Sequence, residues 1–526
     1  MSPVATESGK SSRQTKGSKN GDGVVSLKPM SWNMKASETY RKIKRYVESV
    51  TGGSGLKAQV FSGGAWLGAG SVSEQSFRLL RNIILARLLA PSAFGMMAIV
   101  LSAATFLQSL AEIGVKESLI QNPRGSEPHY VNAAWWMALG RAVSIYAVLF
   151  TAAPWIARFY GNHELVQLLR VANLSIVLEG AISSRAYVAM KEMKFHRWAT
   201  AWHGGAILGI VTTITLAFFV RSVWALVIGT CAESLGRCVM SYIVCPHLPG
   251  LKMNFAAARD LMKFSRGLFG LSALMFIFMR ADIFVLGKLI SATALGYYAL
   301  GIAVAQTPGS FVLNFICQIF LPALSHVRDD PARTRRVILK VTEVVILLGM
   351  PAIVFSCFWG RPLLTLTYGP AYAVAAGPLI LASCAALVNI VNGLITLAIY
   401  AAGVPQLHRR CVAAMAIGMI ILVYPLSKWL GPIGAQLASV ISITIGFLLQ
   451  LDYVRHLVRI KLSDYGAILG RGALISASVV VIFIVTRPIV NMTHPFLTIG
   501  LGISSCLVAY ALAGMMFMRK PGFARY

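Results

Sequence analysis

Residues 78–90, RLLRNIILARLLA, set three guanidinium groups, Arg78, Arg81 and Arg87, inside a long apolar run. At about 100° per residue, Ser71, Glu74, Gln75, Arg78, Arg81 and Asn82 fall within an arc of roughly 120° on one helix. A polar stripe that narrow should face protein or water, because an unpaired charge in hydrocarbon costs about 3 kcal/mol or more. Glu74 and Arg78 are four apart and can pair along the helix. Arg87 points away from the stripe at the outer end, where snorkelling to the interface is the better reading. The chemistry open to such groups is binding and moving charge. The bland alternative is a buried ion pair that fixes helix packing.

The same choice applies to the other ionisable residues at apolar depth: Glu112, Arg141, Glu179, Glu233, Arg237, Arg280, Asp282 and Glu343. For isolated acids such as Glu112 and Glu343, packing is sufficient. The eight cysteines form no Cys-x-x-Cys pair and the nine histidines no His-x-x-x-His pair, so neither a metal nor a cofactor is expected. Cys231, Cys238 and Cys245, spaced by seven, share a helix face as small packing residues.

The elements that must position these charges are membrane helices. Hydrophobic residues make up 56% of the 526, charged residues 13%, and the mean hydropathy is +0.68. Continuous Leu/Ala/Ile-rich runs of about 20 residues point to an all-α polytopic membrane protein rather than to strands. The runs predict about fourteen spans, near 60–86, 93–116, 131–157, 165–188, 198–219, 222–246, 264–288, 293–323, 338–359, 374–402, 411–427, 432–452, 468–486 and 496–518. Residues 1–58 read as a disordered basic tail, with an interfacial amphipathic helix at about 34–50 carrying Tyr40, Ile43, Val47 and Val50 on one face.

The net charge of +29 fits basic cytoplasmic loops and anionic lipid better than nucleic acid, for which no separate basic domain exists. With the N-terminus inside, clusters such as Arg333, Arg335, Arg336 and Lys340, or Arg455, Arg459, Lys461 and Arg471, fall on the cytoplasmic side. The outer side receives single residues: Arg87, Arg158, Arg221, Lys288, Arg361, Lys428 and Arg487. Both termini are therefore expected in the cytoplasm, with the protein in a bacterial cytoplasmic (inner) membrane. Loops after residue 60 stay below about 20 residues and no nucleotide-binding loop is present, which argues against an enzyme and against direct use of ATP.

Two stretches repeat at nearly one offset. ARLLAPSAFGMMA (86–98) matches GKLISATALGYYA (287–299), with Arg87 opposite Lys288 and Gly95 opposite Gly296. APWIARFYGNHELVQLLRVANLS (153–175) matches RPLLTLTYGPAYAVAAGPLILAS (361–383), with Tyr160-Gly161 opposite Tyr368-Gly369. An offset of six spans keeps orientation, so two parallel six-helix lobes, 59–247 and 248–455, are expected around a central cleft. Residues 456–526 add a last helix pair and a short tail. In this register Arg81 falls opposite Asp282, and a pair between them could close the outer gate.

ILARLLAPSAFGMMA, PWIARFYGNHELVQLLRVANL, IFLPALSHV (319–327) and LLTLTYGPAYAVAAGPLILA together resemble bacterial Wzx-type polysaccharide flippases, of the multidrug/oligosaccharidyl-lipid/polysaccharide exporter superfamily. The resemblance covers about residues 60–455. It implies translocation of undecaprenyl-diphosphate-linked oligosaccharide by alternating access, for exopolysaccharide, O-antigen or capsule synthesis. Membrane lipids surround such a protein, and polysaccharide polymerase and chain-length machinery are candidate partners. For the implied diphosphate, guanidinium is the suitable ligand, which makes Arg78, Arg81, Arg141 and Arg280 the binding candidates. Glu74, Glu179, Glu233 and Asp282 are the candidates for gating or ion coupling. The rival readings are a cation-coupled drug antiporter, a polymerase or ligase of the same pathway, and a lipid-II-type flippase.

Overall fold

The computed structural model describes residues 56–112, 114–265, 270–326, 331–401, 403–458, 461–486 and 495–518. The expected tail up to residue 55, with its interfacial helix, lies outside these. Among the described residues every regular element is helical, the form in which a chain can satisfy its own backbone polar groups in lipid. The first part of the chain forms α1 (Leu56–Leu88), α2 (Pro91–Leu110), α3 (Val115–Gln121), α4 (Pro128–Tyr160), α5 (Glu164–Ala172), α6 (Leu174–Gly180), α7 (Arg185–Lys191), α8 (Phe195–Val220) and α9 (Val223–Val244). A short α10 (Phe255–Ser265) leads to α11 (Leu271–Leu289), α12 (Ala292–His326), α13 (Pro331–Thr367) and, after a 3-10 turn, α14 (Ala376–Ala401). The chain continues with α15 (Pro405–Val458), α16 (Leu462–Thr486) and α17 (Pro495–Met518).

Eight described helices are long and apolar enough to cross a membrane, or nine if the bent pair Glu164–Gly180 and Arg185–Lys191 counts as one. The protein is a multi-pass membrane protein. The bend corrects the expectation of one continuous span over 165–188: the two pieces meet at 55°. Its cause is local. Ser183 takes its backbone N–H to the Ser241 hydroxyl at 3.0 Å and its own hydroxyl to the Cys245 carbonyl at 2.9 Å, bonds that compete with the helical ladder. α15 runs through two of the expected spans, with a break at Gly431 (φ 58°) where they were expected to part.

The repeated stretches both end a long helix at a glycine of positive φ. α4 ends at Tyr160 and the chain turns at Gly161 (φ 70°); α13 ends at Thr367 and turns after Tyr368 at Gly369 (φ 115°). Both have positive φ, which glycine adopts without a Cβ clash; Gly161 is a left-handed helix cap, whereas Gly369 is extended, with ψ 165°. Around them lies the largest core, in which Leu85, Val100, Leu286, Leu295, Tyr298, Leu364 and Leu379 are buried. Apolar packing there joins helices from the first and second halves of the sequence.

Candidate functional site: a charged cluster between α1, α8 and α9

α8 and α9 pack against each other along small residues. A Cβ on Gly209 would lie 2.4 Å from that of Glu233, and one on Gly205 equally close to the backbone N and Cγ of Arg237. The two glycines therefore make room for a buried acid and a buried base on α9. Glu233 accepts from Arg237 at 2.5 Å within α9 and from Arg78 of α1 at 2.5 Å. Arg78 also grips Glu74 through Nε at 3.0 Å and Nη2 at 2.8 Å, the pair that the i,i+4 spacing predicts.

The cluster extends further. His203 Nδ1 lies 2.9 Å from Glu74 Oε2. Arg237 reaches Glu179 of α6 at 3.6 Å and Glu74 at 3.8 Å, and its guanidinium stacks 4.3 Å over the Trp202 ring. Ser234 donates to Glu179 at 3.3 Å. Three carboxylates thus surround two guanidiniums, and the remaining ring nitrogen of His203 is buried with no hydrogen-bond partner among the described residues. One wall opens into a cavity of about 270 Å³ between α1 and α8, lined by Ser73, Glu74, Phe77, His203 and Ile207 among others. A mixed cluster of this kind can take up or release a cation, or re-pair its ions as helices shift.

The candidates divide accordingly. Glu74, Glu179 and Glu233 come together. Arg78 joins them, so its guanidinium is neutralised by carboxylates and not free for an anion. Among the described residues Arg81 has only a 3.3 Å bond to its neighbour Asn82, and its Nε is buried with no hydrogen-bond partner. Arg141 pairs with Glu112 at 3.1 Å, away from the cluster. Arg280 is exposed and makes no ion pair or hydrogen bond among the described residues. Asp282 lies in a separate buried group, accepting from Tyr298 Oη at 2.5 Å and from Gln436 Nε2 at 3.4 Å.

The expected Arg81–Asp282 gate pair is not formed: Tyr298 and Gln436 both donate to Asp282 Oδ2, and its Oδ1 is buried without a hydrogen-bond partner among the described residues. Glu343 pairs with Arg471 between α13 and α16, the packing role foreseen for it. Sequence reasoning placed Arg237 at membrane depth without assigning it a role and passed over His203. The only signals for them were Arg237 four residues after Glu233, and the small residues at 205 and 209.

A family model described as "Polysaccharide biosynthesis protein" matches residues 84–376, more than half of the chain. The chain belongs to this family. The resemblance to Wzx-type polysaccharide transporters stands with it. Relatives of this family member include the succinoglycan biosynthesis transport protein ExoT of Rhizobium meliloti, 24% identical over 56% of this chain and 59% of the relative. The lipopolysaccharide biosynthesis protein WzxC of Escherichia coli is 21% identical over 57% of this chain and 61% of its own length. The chain thus spans about three fifths of these two relatives. The fold is similar to the inward closed conformation of the lipid II flippase MurJ, with a TM-score of 0.69 and 14% identity, covering 86% of this chain and 99% of that one.

Proposed function

We propose that this family member is a flippase that moves undecaprenyl-diphosphate-linked oligosaccharide from the inner to the outer leaflet of a bacterial cytoplasmic membrane. It would act by alternating access, as a transporter rather than an enzyme, in exopolysaccharide, O-antigen or capsule synthesis. Two parallel lobes, 59–247 and 248–455, with fourteen crossings in all and both termini inside, form the working architecture. Polymerase and chain-length proteins are its candidate partners.

The observation that carries this reading is the set of unneutralised arginines. Among the described residues Arg81 and Arg280 form no ion pair, so of the four arginines they are the cations left for a diphosphate, while Arg78 holds the charged cluster together. Arg141, paired with Glu112, is the weaker candidate. Two phosphate charges leaving a negative cytoplasm gain nearly 5 kcal/mol at 100 mV, about 2.3 kcal/mol each, so the membrane potential favours export. The test is the sidedness of lipid-linked units in cells lacking the protein. They should accumulate on the cytoplasmic leaflet, and Arg81→Gln or Arg280→Gln should fail to restore export. Normal translocation without the protein sinks the proposal.

The carboxylate excess around Arg237 favours a second element, cation coupling through Glu74, Glu179 or Glu233. A drug antiporter would share it. Energised vesicles separate the two: an antiporter moves a cationic dye against its gradient, and the flippase moves lipid-linked sugar.

A further inference from the structure

The two helices that end in the repeated Tyr-Gly turns leave carbonyls without helical partners. At α4, the Gly161 N–H takes the Arg158 carbonyl and the Asn162 N–H takes that of Ala157, which leaves the Phe159 carbonyl open. At α13, the Gly369 N–H takes the carbonyls of Leu364 and Thr365, which leaves those of Leu366 and Thr367 open. Such end carbonyls carry the negative pole of the helix and call for a cation.

Each cation comes from the other half of the chain. Arg87, at the end of α1, donates to the Leu366 carbonyl at 2.5 Å and to that of Thr367 at 3.4 Å. Lys288, at the end of α11, donates to the Phe159 carbonyl at 2.5 Å and lies 5.1 Å over the Phe159 ring. The arrangement is the same twice. Arg87 corresponds to Lys288 in one repeat, and Phe159 to Thr367 in the other. Arg87 therefore does more than snorkel.

Between the two caps the helices touch directly, again in matched fashion. A Cβ on Gly95 would lie 1.9 Å from the Ala292 carbonyl oxygen, and one on Gly296 would lie 1.8 Å from that of Pro91. Pro91 and Ala292 are themselves repeat partners. The first turns of α2 and α12 can meet this closely only because both crossing residues are glycine, and Phe94, Leu295 and Tyr298 are buried beside them.

We infer that Arg87 and Lys288 are reciprocal latches, each capping a helix of the opposite half, and that with the Gly95–Gly296 crossing they hold the outer face closed. The meaning of this closure rests on the flippase reading; the contacts themselves do not. Both cations are exposed, so water competes for each bond and each latch is individually weak. That suits a gate that must open in every cycle. Separation of the halves frees both cations at once, which couples the two sides of the opening without any contact between Arg87 and Lys288.

The test uses Ser102→Cys, a buried position two turns inward from Gly95 on the same face of α2. Labelling by a membrane-impermeant thiol reagent added from outside is measured in excess of that of the parent chain with its native cysteines. Arg87→Gln combined with Lys288→Gln should raise the labelling rate roughly three- to thirtyfold, the equilibrium shift of losing two helix-end cations. Each single change should give part of that, and Arg87→Lys less than Arg87→Gln. Gly95→Ala should raise it further. Amide exchange across residues 91–97 and 292–298 is the second readout and should rise in parallel, at unchanged expression.

Unchanged labelling and exchange in the double variant overturn the latch. Loss of export with no change in labelling also overturns it and leaves the flippase reading standing. Raised labelling in a protein whose deletion leaves lipid-linked units correctly placed upholds the latch and removes the flippase reading.

Discussion

The backbone nitrogen of Arg237 packs on the bare Cα of Gly205, so close that a methyl group on the glycine would lie 2.4 Å from it. The charged cluster depends on that contact. Gly205→Ala must push α9 away from α8, stretching the bonds that Arg237 makes to Glu233 and Glu179, at a cost of about 2 kcal/mol. Gly204→Ala next to it is the control, since its nearest neighbour would be a Met240 side-chain atom at 3.5 Å, an ordinary contact. Thermal unfolding in one detergent should show a clear loss for Gly205→Ala and almost none for Gly204→Ala. Equal effects would remove the packing argument.

Glu233 is the hub of the cluster, holding both Arg78 and Arg237 at 2.5 Å with only 8% of its surface exposed. Glu233→Ala leaves two guanidiniums without their shared acceptor in a low-dielectric interior, a loss of about 3–5 kcal/mol. Arg78→Ala is expected to be milder, because Glu233 keeps Arg237 and Glu74 keeps His203. Melting temperatures and membrane yield of the two variants should rank in that order. The reverse ranking contradicts the role of Glu233.

What the sequence made legible, and what it did not, follows from the range of each interaction. Periodicity and apolar length located the helices, and the Glu74–Arg78 pair was legible because four residues make one turn. The Tyr-Gly turns were visible as a repeat because glycine at positive φ is a local demand. The contacts of Arg78 with Glu233, and of Arg237 with Glu179, join residues far apart in sequence, and no spacing rule reaches them. Aligning the repeat placed Arg81 opposite Asp282 but carried no information on depth or on competing donors. Tyr298, sixteen residues from Asp282, takes that carboxylate instead. The break at Ser183 was hidden in an apolar run that composition reads as one span, because its partners Ser241 and Cys245 are distant in sequence.

The Asp282 group yields a prediction that reverses the one drawn from the repeat. Because Asp282 is bound by Tyr298 and Gln436, reversing the charges of Arg81 and Asp282 together should not rescue either single reversal. Tyr298→Phe removes the hydroxyl that donates to Asp282 at 2.5 Å and leaves a buried acceptor short of a donor, a loss of about 1–3 kcal/mol. Complementation of export and thermal unfolding report the two halves of this statement. Rescue by the double reversal would restore the pairing in some other conformation of the cycle.

α10 offers a pH test outside the membrane helices. Its Ala257, Ala258 and Leu261 are buried against α3 and α4, and Asp260 accepts from Tyr130 Oη at 2.8 Å and Asn122 Nδ2 at 3.1 Å. These two donors, Tyr130 first, hold the Asp260 carboxyl below its ordinary 3.8. A depressed carboxylate contributes stability that is fully present above the unfolded value and is lost as pH falls through the folded one. Docking of α10 should therefore be unchanged between pH 7 and 5 and weaken only below about 4. Amide exchange over residues 255–265, corrected for the intrinsic rate, should stay low until then. In Asp260→Asn it should already be raised at pH 7 and lose its acid dependence. A docked α10 in that variant at neutral pH would show that Ser118, which donates to the Leu261 carbonyl at 2.8 Å, and the apolar face hold the helix without Asp260.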